Sequence, residues 1–285
     1  MIRCIATDMD GTLLNSMQEI TEENRQAIIK AQQQGVEVVV ATGRSYQEAV
    51  YVLDAAGLQC PVICVNGAEV RSQDGEVLSA NPIPNALARE TAASLSASDI
   101  YFEVYTNRGA YTIDADKAVS TLVDIVMSAN PEADREEIIV AAGARIRDGL
   151  IEVVDSYEQL FTNEEVLIYK FLAFSFEDDG KLEGASASLA SFSELEVTKS
   201  GVENIEITHK NAQKGIALEA FTSSRGIALA NTMAIGDNFN DISMLEKAGR
   251  AVAMGNASFE IKAMCDVITE TNEESGVGKA ILEVL

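Results

Sequence analysis

Apolar and polar positions divide the chain into three stretches with different rhythms. From Ile2 to Thr7 the residues are short, largely apolar and β-favouring, which is the pattern of a buried strand. Thr21 is then placed to cap a helix, with Glu22 and Glu23 at the positive end of its dipole and Gly35 as its stop. Val36 to Ala41 is a second buried strand, ending in Thr42-Gly43-Arg44. Ser45 caps a helix reaching toward Gly57, and Pro61 to Val65 is a third strand, ending in Asn66-Gly67. Strand and helix alternate here, as a doubly wound parallel sheet requires.

The rhythm changes at Pro82 and Pro84, which mark a linker. A helical stretch from Ala86 to Ser98 leads into Tyr101–Tyr105 and Tyr111–Ile113, two short strands around Asn107-Arg108-Gly109 that read as a hairpin. Two helical segments follow, then an apolar strand over 168–176, a helix over 178–190 and a strand at Leu195–Val197. This order predicts a separate α+β domain with an antiparallel sheet over 84–199. The alternating pattern resumes with a segment at Ile205–Thr208, a helix opened by Lys214-Gly215, and the strand Thr232–Ile235 running into Gly236-Asp237-Asn238-Phe239-Asn240-Asp241. A helix carrying Met244 and Leu245, a short strand at Arg250–Ala253 and a last helix near Gly276–Lys279 complete the chain. The expectation is therefore an α/β, doubly wound, Rossmann-like core over 1–83 and 200–285, interrupted by an inserted α+β domain.

Composition fits two domains: 285 residues with 47% hydrophobic content are enough for a sizeable core in each. No stretch approaches the roughly 20 apolar residues of a membrane span. The N-terminus opens on a core strand rather than a signal peptide, so a cytoplasmic protein is expected. The formal net charge of −24 makes nucleic acid and anionic membranes unfavourable partners. It would also repel a phosphorylated ligand, so a phosphate site here must supply positive charge locally. Cys4, Cys60, Cys64 and Cys265 lack zinc-ligand spacing and read as buried reduced thiols. His209 is the only histidine, which excludes a multi-histidine metal site.

The first strand delivers Asp8 and Asp10, two residues apart. In an extended backbone such side chains share a face, so they can converge past the strand's carboxyl end, where open α/β sheets bind ligands. A bare Asp-x-Asp in so acidic a chain would also suit a solvated turn. The full string Asp8-Met9-Asp10-Gly11-Thr12-Leu13-Leu14 instead resembles the first motif of the haloacid dehalogenase superfamily. The later motifs follow in order: Thr42, the Lys214-Gly215 pair, and Gly236-Asp237-Asn238-Phe239-Asn240-Asp241, then Val252-Ala253-Met254-Gly255-Asn256-Ala257. The insertion past Asn66-Gly67-Ala68 resembles the large α/β cap of the Cof-type phosphatase subgroup. The lysine motif departs from that subgroup's proline-glycine-serine run, reading His209-Lys210-Asn211-Ala212-Gln213-Lys214, so Lys210 stands as an alternative to Lys214.

The resemblance implies Mg²⁺-dependent hydrolysis of phosphate monoesters of small metabolites, such as sugar phosphates, through an aspartyl-phosphate. It implies Asp8 as nucleophile and Asp10 as general acid and base. Mg²⁺ would be held by Asp8, Asp237, the Asp10 backbone carbonyl and Asp241, the last directly or at one remove. Thr42, Gly43, Lys214 and Asn240, with the backbone of Met9, would hold the phosphoryl oxygens. A phosphomutase of the same superfamily and a non-catalytic phospho-ligand-binding protein are the alternatives. Tyr101, Phe102, Tyr105, Arg108 and Tyr111 are candidate substrate contacts that also suit hairpin packing, and Arg44 is a candidate whose role the sequence leaves open.

Overall fold

A computed structural model describes residues 1–130, 132–176, 180–198 and 203–285. In chain order the first elements are β1 (Cys4–Thr7), α1 (Glu22–Gln33), β2 (Glu37–Ala41), α2 (Tyr46–Ala55), β3 (Val62–Cys64), β4 (Glu69–Arg71) and β5 (Val77–Ala80). Next come α3 (Asn85–Ala97), β6 (Tyr101–Thr106), β7 (Gly109–Thr112), α4 (Ala115–Ala129), α5 (Arg135–Arg147), β8 (Ile151–Val153) and α6 (Glu158–Phe161). They are followed by β9 (Ile168–Phe174), α7 (Lys181–Leu189), β10 (Leu195–Thr198) and β11 (Asn204–His209). The chain finishes with α8 (Lys214–Ser224), β12 (Thr232–Gly236), α9 (Ile242–Lys247), β13 (Arg250–Ala253), α10 (Phe259–Met264), β14 (Val267–Ile268) and α11 (Gly276–Val284). The first residues of the expected helix over 178–190 lie outside the described residues.

Two compact units result, Met1–Asn81 with Asn211–Leu285, and Pro82–Lys210. The first is built on an eight-stranded sheet in the order β14-β13-β12-β1-β2-β3-β4-β5. Strands β14 to β3 run parallel, and β4 and β5 extend the edge antiparallel. Every residue of β1 and β12 is buried, as parallel strands covered on both faces demand. One face carries Cys4, Ala6, Val39, Ala41 and Ile63 against Leu218 and Phe221 of α8, with Met244 and Leu245 of α9 in the same core. α1 packs along α11 and β2, and the buried Asn24 of α1 ties them, donating to Leu13 O and accepting from the Gly278 N–H at 2.7 Å. The helix caps follow the sequence: Thr21 accepts from the Asn24 N–H, and Ser45 and Glu48 form a reciprocal capping box on α2.

The second unit is a six-stranded sheet in the order β10-β11-β9-β6-β7-β8. One face of this sheet, with Phe102, Val104, Phe171, Ala173, Ile205 and Ile207, packs with Ala88 and Leu95 of α3, Phe161 of α6 and Leu182 and Leu189 of α7. The opposite face meets α4 and α5 through Ala118 and Ile146, which cluster with Ala110 and Ile151.

The strand at 205–208 is a correction to the sequence reading. It does not join the parallel sheet; it lies between β9 and β10 in the second unit, antiparallel to both. Its composition carries the reason, because buried Ile205 and Ile207 are separated by Glu206, the alternation of an antiparallel strand with one apolar face. The second unit accordingly runs to Lys210, past the expected border at 199, which itself lies outside the described residues. The first border falls between Asn81 and Pro82, two residues before the expected one.

Candidate active site

β1 is the switch point of the parallel sheet: the chain builds outward through β2 and β3 on one side, and β12, β13 and β14 lie on the other. Open α/β sheets bind ligands at the carboxyl ends of strands around such a point. Asp8 follows β1, Thr42 follows β2 and Asp237 follows β12, while Lys214 is the first residue of α8.

Asp8, Asp237 and Asp241 bring carboxylate oxygens within 4.8 Å of one another. Lys214 is fully buried, its Nζ 2.6 Å from Asp8 Oδ1 and 2.7 Å from Asp241 Oδ1. The alternative lysine, Lys210, belongs to the other unit, where its N–H donates to Glu194 O just before β10. Asp241 uses its second oxygen to accept the N–H groups of Asp237 and Asn238, at 3.0 and 3.1 Å, so it both holds the ammonium and shapes the turn after β12. Thr12 Oγ1 donates to Asp237 Oδ1 at 2.8 Å. The packing leaves no room for side chains at two glycines: a Cβ on Gly11, whose φ is +76°, would lie 2.6 Å from Asp237, and one on Gly236 would lie 2.6 Å from Asp241.

Three carboxylates around one ammonium leave an excess of negative charge in a largely buried place. Burial pushes the Asp8 carboxyl well above the usual carboxylate range, against the pull of Lys214. Burial also raises Asp237, and the Thr12 hydroxyl opposes it. A hard divalent cation would offset this excess, and an all-oxygen donor set of this kind suits one. The residues present therefore fit a metal.

The same-face argument for Asp8 and Asp10 does not carry over to the structure. The extended backbone stops at Asp8; Met9–Leu13 form a tight π-type turn in which Asp10 and Gly11 leave helical angles. The same-face rule for alternate residues no longer applies, and the Asp10 carboxylate lies outside the three-aspartate group. Its two oxygens instead accept from Arg44. Its backbone carbonyl remains a separate donor.

Thr42 is fully buried and its Oγ1 accepts the Arg44 N–H at 3.1 Å. Gly43 lies against Asn66, which has a left-handed φ of 55° and accepts from Asn240 Nδ2 at 3.2 Å. Met9 is buried, its carbonyl accepting the Leu14 N–H at 2.9 Å. Sequence reasoning missed two braces. Asn256 Nδ2 donates to Gly11 O at 2.8 Å and its Oδ1 accepts the Asn272 N–H, while Asn272 Nδ2 donates to Leu14 O at 2.9 Å. Asn66 sits in the turn that follows β3, and the sequence showed it only as the end of the third strand. The four cysteines are free, three of them buried, and burial pushes Cys4 and Cys60 up to about 12, which makes them inert. Among the described residues no helix is long and apolar enough to cross a membrane.

Known proteins resemble this chain along its whole length. A family model for haloacid dehalogenase-like hydrolases matches residues 5–281. Phosphatase YwpJ of Bacillus subtilis is 35% identical over 286 residues, covering 100% of both chains. The 5-amino-6-(5-phospho-D-ribitylamino)uracil phosphatase YwtE of the same organism is 35% identical over 285 residues, covering 100% of this chain and 98% of its own. A solved structure of a haloacid dehalogenase-like hydrolase from B. subtilis superposes with a TM-score of 0.85 at 35% identity, covering 100% of both chains. A match of this extent, on a fold with the same doubly wound sheet, has one meaning: the chain belongs to the haloacid dehalogenase-like hydrolases.

Proposed function

We propose that this chain, a phosphatase of that family, hydrolyses phosphate monoesters of small sugar- or polyol-bearing metabolites with Mg²⁺, through an aspartyl-phosphate on Asp8. The contact that carries the reading is Lys214 Nζ on Asp8 Oδ1 at 2.6 Å, a buried cation set against a buried carboxylate at the carboxyl end of the central strand. A phosphoryl group arriving at Asp8 would meet that ammonium, which answers the net charge of −24 locally.

Asp8 attacks phosphorus: its oxygen forms the new bond as the ester P–O bond breaks, and Asp10 gives its proton to the departing alkoxide. In the second step Asp10 takes a proton from water, whose oxygen bonds to phosphorus as the Asp8–phosphorus bond breaks. Asp8, Asp237, the Asp10 carbonyl and Asp241, directly or through a water, would hold the Mg²⁺. When bound, the ion supplies charge neutralisation at the phosphoryl oxygens. Thr42, Gly43, Asn240 and the Met9 backbone complete the phosphate cradle. Many contacts are needed, because the slowest monoester hydrolyses require acceleration of up to about 10²¹-fold. The ribityl phosphate in the name of YwtE supports a polyol phosphate as the substrate class.

Phosphate release from p-nitrophenyl phosphate and a panel of sugar, polyol and nucleotide monophosphates, with Mg²⁺ and with EDTA, tests the proposal. Metal-dependent release strongest for polyol esters is expected. Folded protein that releases no phosphate from any monoester would overturn it and favour a mutase or a binding protein.

A further inference from the structure

Arg44 Nε donates to Asp10 Oδ2 at 2.9 Å and Nη2 donates to Oδ1 at 2.5 Å, so one guanidinium grips both oxygens of one carboxylate. Nη2 also donates to Gln18 Oε1. Both supports are themselves fixed. The Arg44 N–H donates to Thr42 Oγ1, and its carbonyl accepts the Val65 N–H at 2.9 Å. Gln18 has a left-handed φ of 61° at the tip of a small loop, where the Asn15 side-chain oxygen accepts the N–H groups of Met17 and Glu19, both at 3.0 Å.

The Asp10 side chain needs such help. It is 48% exposed and stands outside the buried carboxylate group, so burial does not choose its rotamer. Proton transfer depends on hydrogen-bond reach and alignment, and a displacement of 1 Å can cost about 100-fold. A carboxylate offers about four lone-pair positions. The fork occupies one on each oxygen and leaves the others for the leaving group or water. An ion pair this exposed adds little to folding stability, so a purely structural role predicts almost nothing for its loss.

We propose that Arg44, backed by Gln18, is the positioning residue for Asp10, fixing its carboxyl group so that a proton held outside the fork passes to the leaving group. The inference rests on the reading of Asp10 as general acid. It requires a two-pronged donor, since a lysine ammonium is a point charge that cannot match both oxygens in plane.

The test compares p-nitrophenyl phosphate, whose leaving group needs little protonation, with the best alkyl phosphate from the panel, whose leaving group needs much. In kcat/KM, which reports formation of the phosphoenzyme and not the shared second step, Asp10→Asn should lose about 10²- to 10⁴-fold on the alkyl ester and far less on the aryl ester. Arg44→Ala should lose about 10- to 100-fold on the alkyl ester and under about threefold on the aryl ester, with Arg44→Lys between it and the wild type. The double variant should be no worse than Asp10→Asn alone, because Arg44 acts only through Asp10. Gln18→Leu should show the same leaving-group bias more weakly, and it carries the test if Arg44→Ala does not fold. Equal losses on both esters, full additivity with Asp10→Asn, or unchanged kinetics would overturn the inference. If Asp10→Asn is biased by leaving group and the Arg44 variants are not, only this inference fails. If Asp10→Asn is itself unbiased, the general-acid reading fails and takes the inference with it.

Discussion

Each unit of this protein buries a charged cluster, and the two clusters differ in what they leave unbalanced. In the second unit Glu103 is 3% exposed, yet Tyr105 donates to it at 3.0 Å, Tyr101 at 3.4 Å, and Lys170 and Arg145 add positive charge. Lys170 is itself 3.5 Å from Glu206 and stacks over the Tyr105 ring at 4.7 Å. Positive and negative groups balance there. In the first unit, one lysine faces three aspartates, and the surrounding glycines keep the space against them tight. A buried charge cluster that closes on itself specifies a fold; one that keeps an excess is built to receive something else.

Four measurements would break or sharpen that contrast. The largest effect belongs to Asp8→Asn, which should lower phosphate release by about 10⁴-fold or more. Its melting temperature should stay within about 3 °C of the wild type, because the substitution relieves negative crowding. Lys214→Met removes the only cation from the cluster, so it should cost about 3–5 kcal/mol in urea unfolding without metal as well as abolish turnover. Added Mg²⁺ should recover part of that stability, since it replaces the lost charge; no recovery would argue against a shared electrostatic site. For the wild type, Mg²⁺ at 100 times its dissociation constant should add about 2.7 kcal/mol over the EDTA-treated protein. Asp237→Asn should shrink that increment, and Glu103→Gln should leave it intact.

The smallest effect is a pH dependence in the second unit. Burial raises the Glu103 carboxyl above its usual range, against Arg145, the hydroxyls of Tyr105 and Tyr101, and Lys170. The folded state therefore binds a proton that the unfolded state has already released. Stability from this group is present at low pH and falls as pH rises through the raised value. Unfolding midpoints taken from about pH 4 to 7 should show that slope in the wild type and a flatter one in Glu103→Gln.

Much of this could be read from residue patterns, and the failures have physical causes. The largely apolar β1, β2 and β12 declared a parallel sheet, and the residues just past their ends marked the site. The 205–208 strand was misplaced because position in the chain was allowed to outweigh its alternation of Ile205 and Ile207 with Glu206 and Thr208. The same-face argument for Asp8 and Asp10 failed because a strand rule was carried across a π-type turn that local sequence does not announce. Lys214 could be separated from Lys210 only by three-dimensional contact, since both precede or open the same helix. Asn256 and Asn272 were invisible as braces, because a side-chain bond to a distant backbone carbonyl leaves no periodic trace.

Those braces bear on how the protein comes into being. Lys214 and Asp8 are 206 residues apart, Thr12 and Asp237 are 225 apart, and Asn256 reaches Gly11 across 245. β1 is synthesised well before β12, and Lys214, Asp237 and Asp241, which gather at the carboxyl end of β1, come late in the chain. On the ribosome the N-terminal segment must wait, with its apolar strand unpaired on the β12 side, until the final quarter of the chain has emerged. Activity should therefore switch on once, late and all together, and chains cut short in synthesis should be inert rather than partly active.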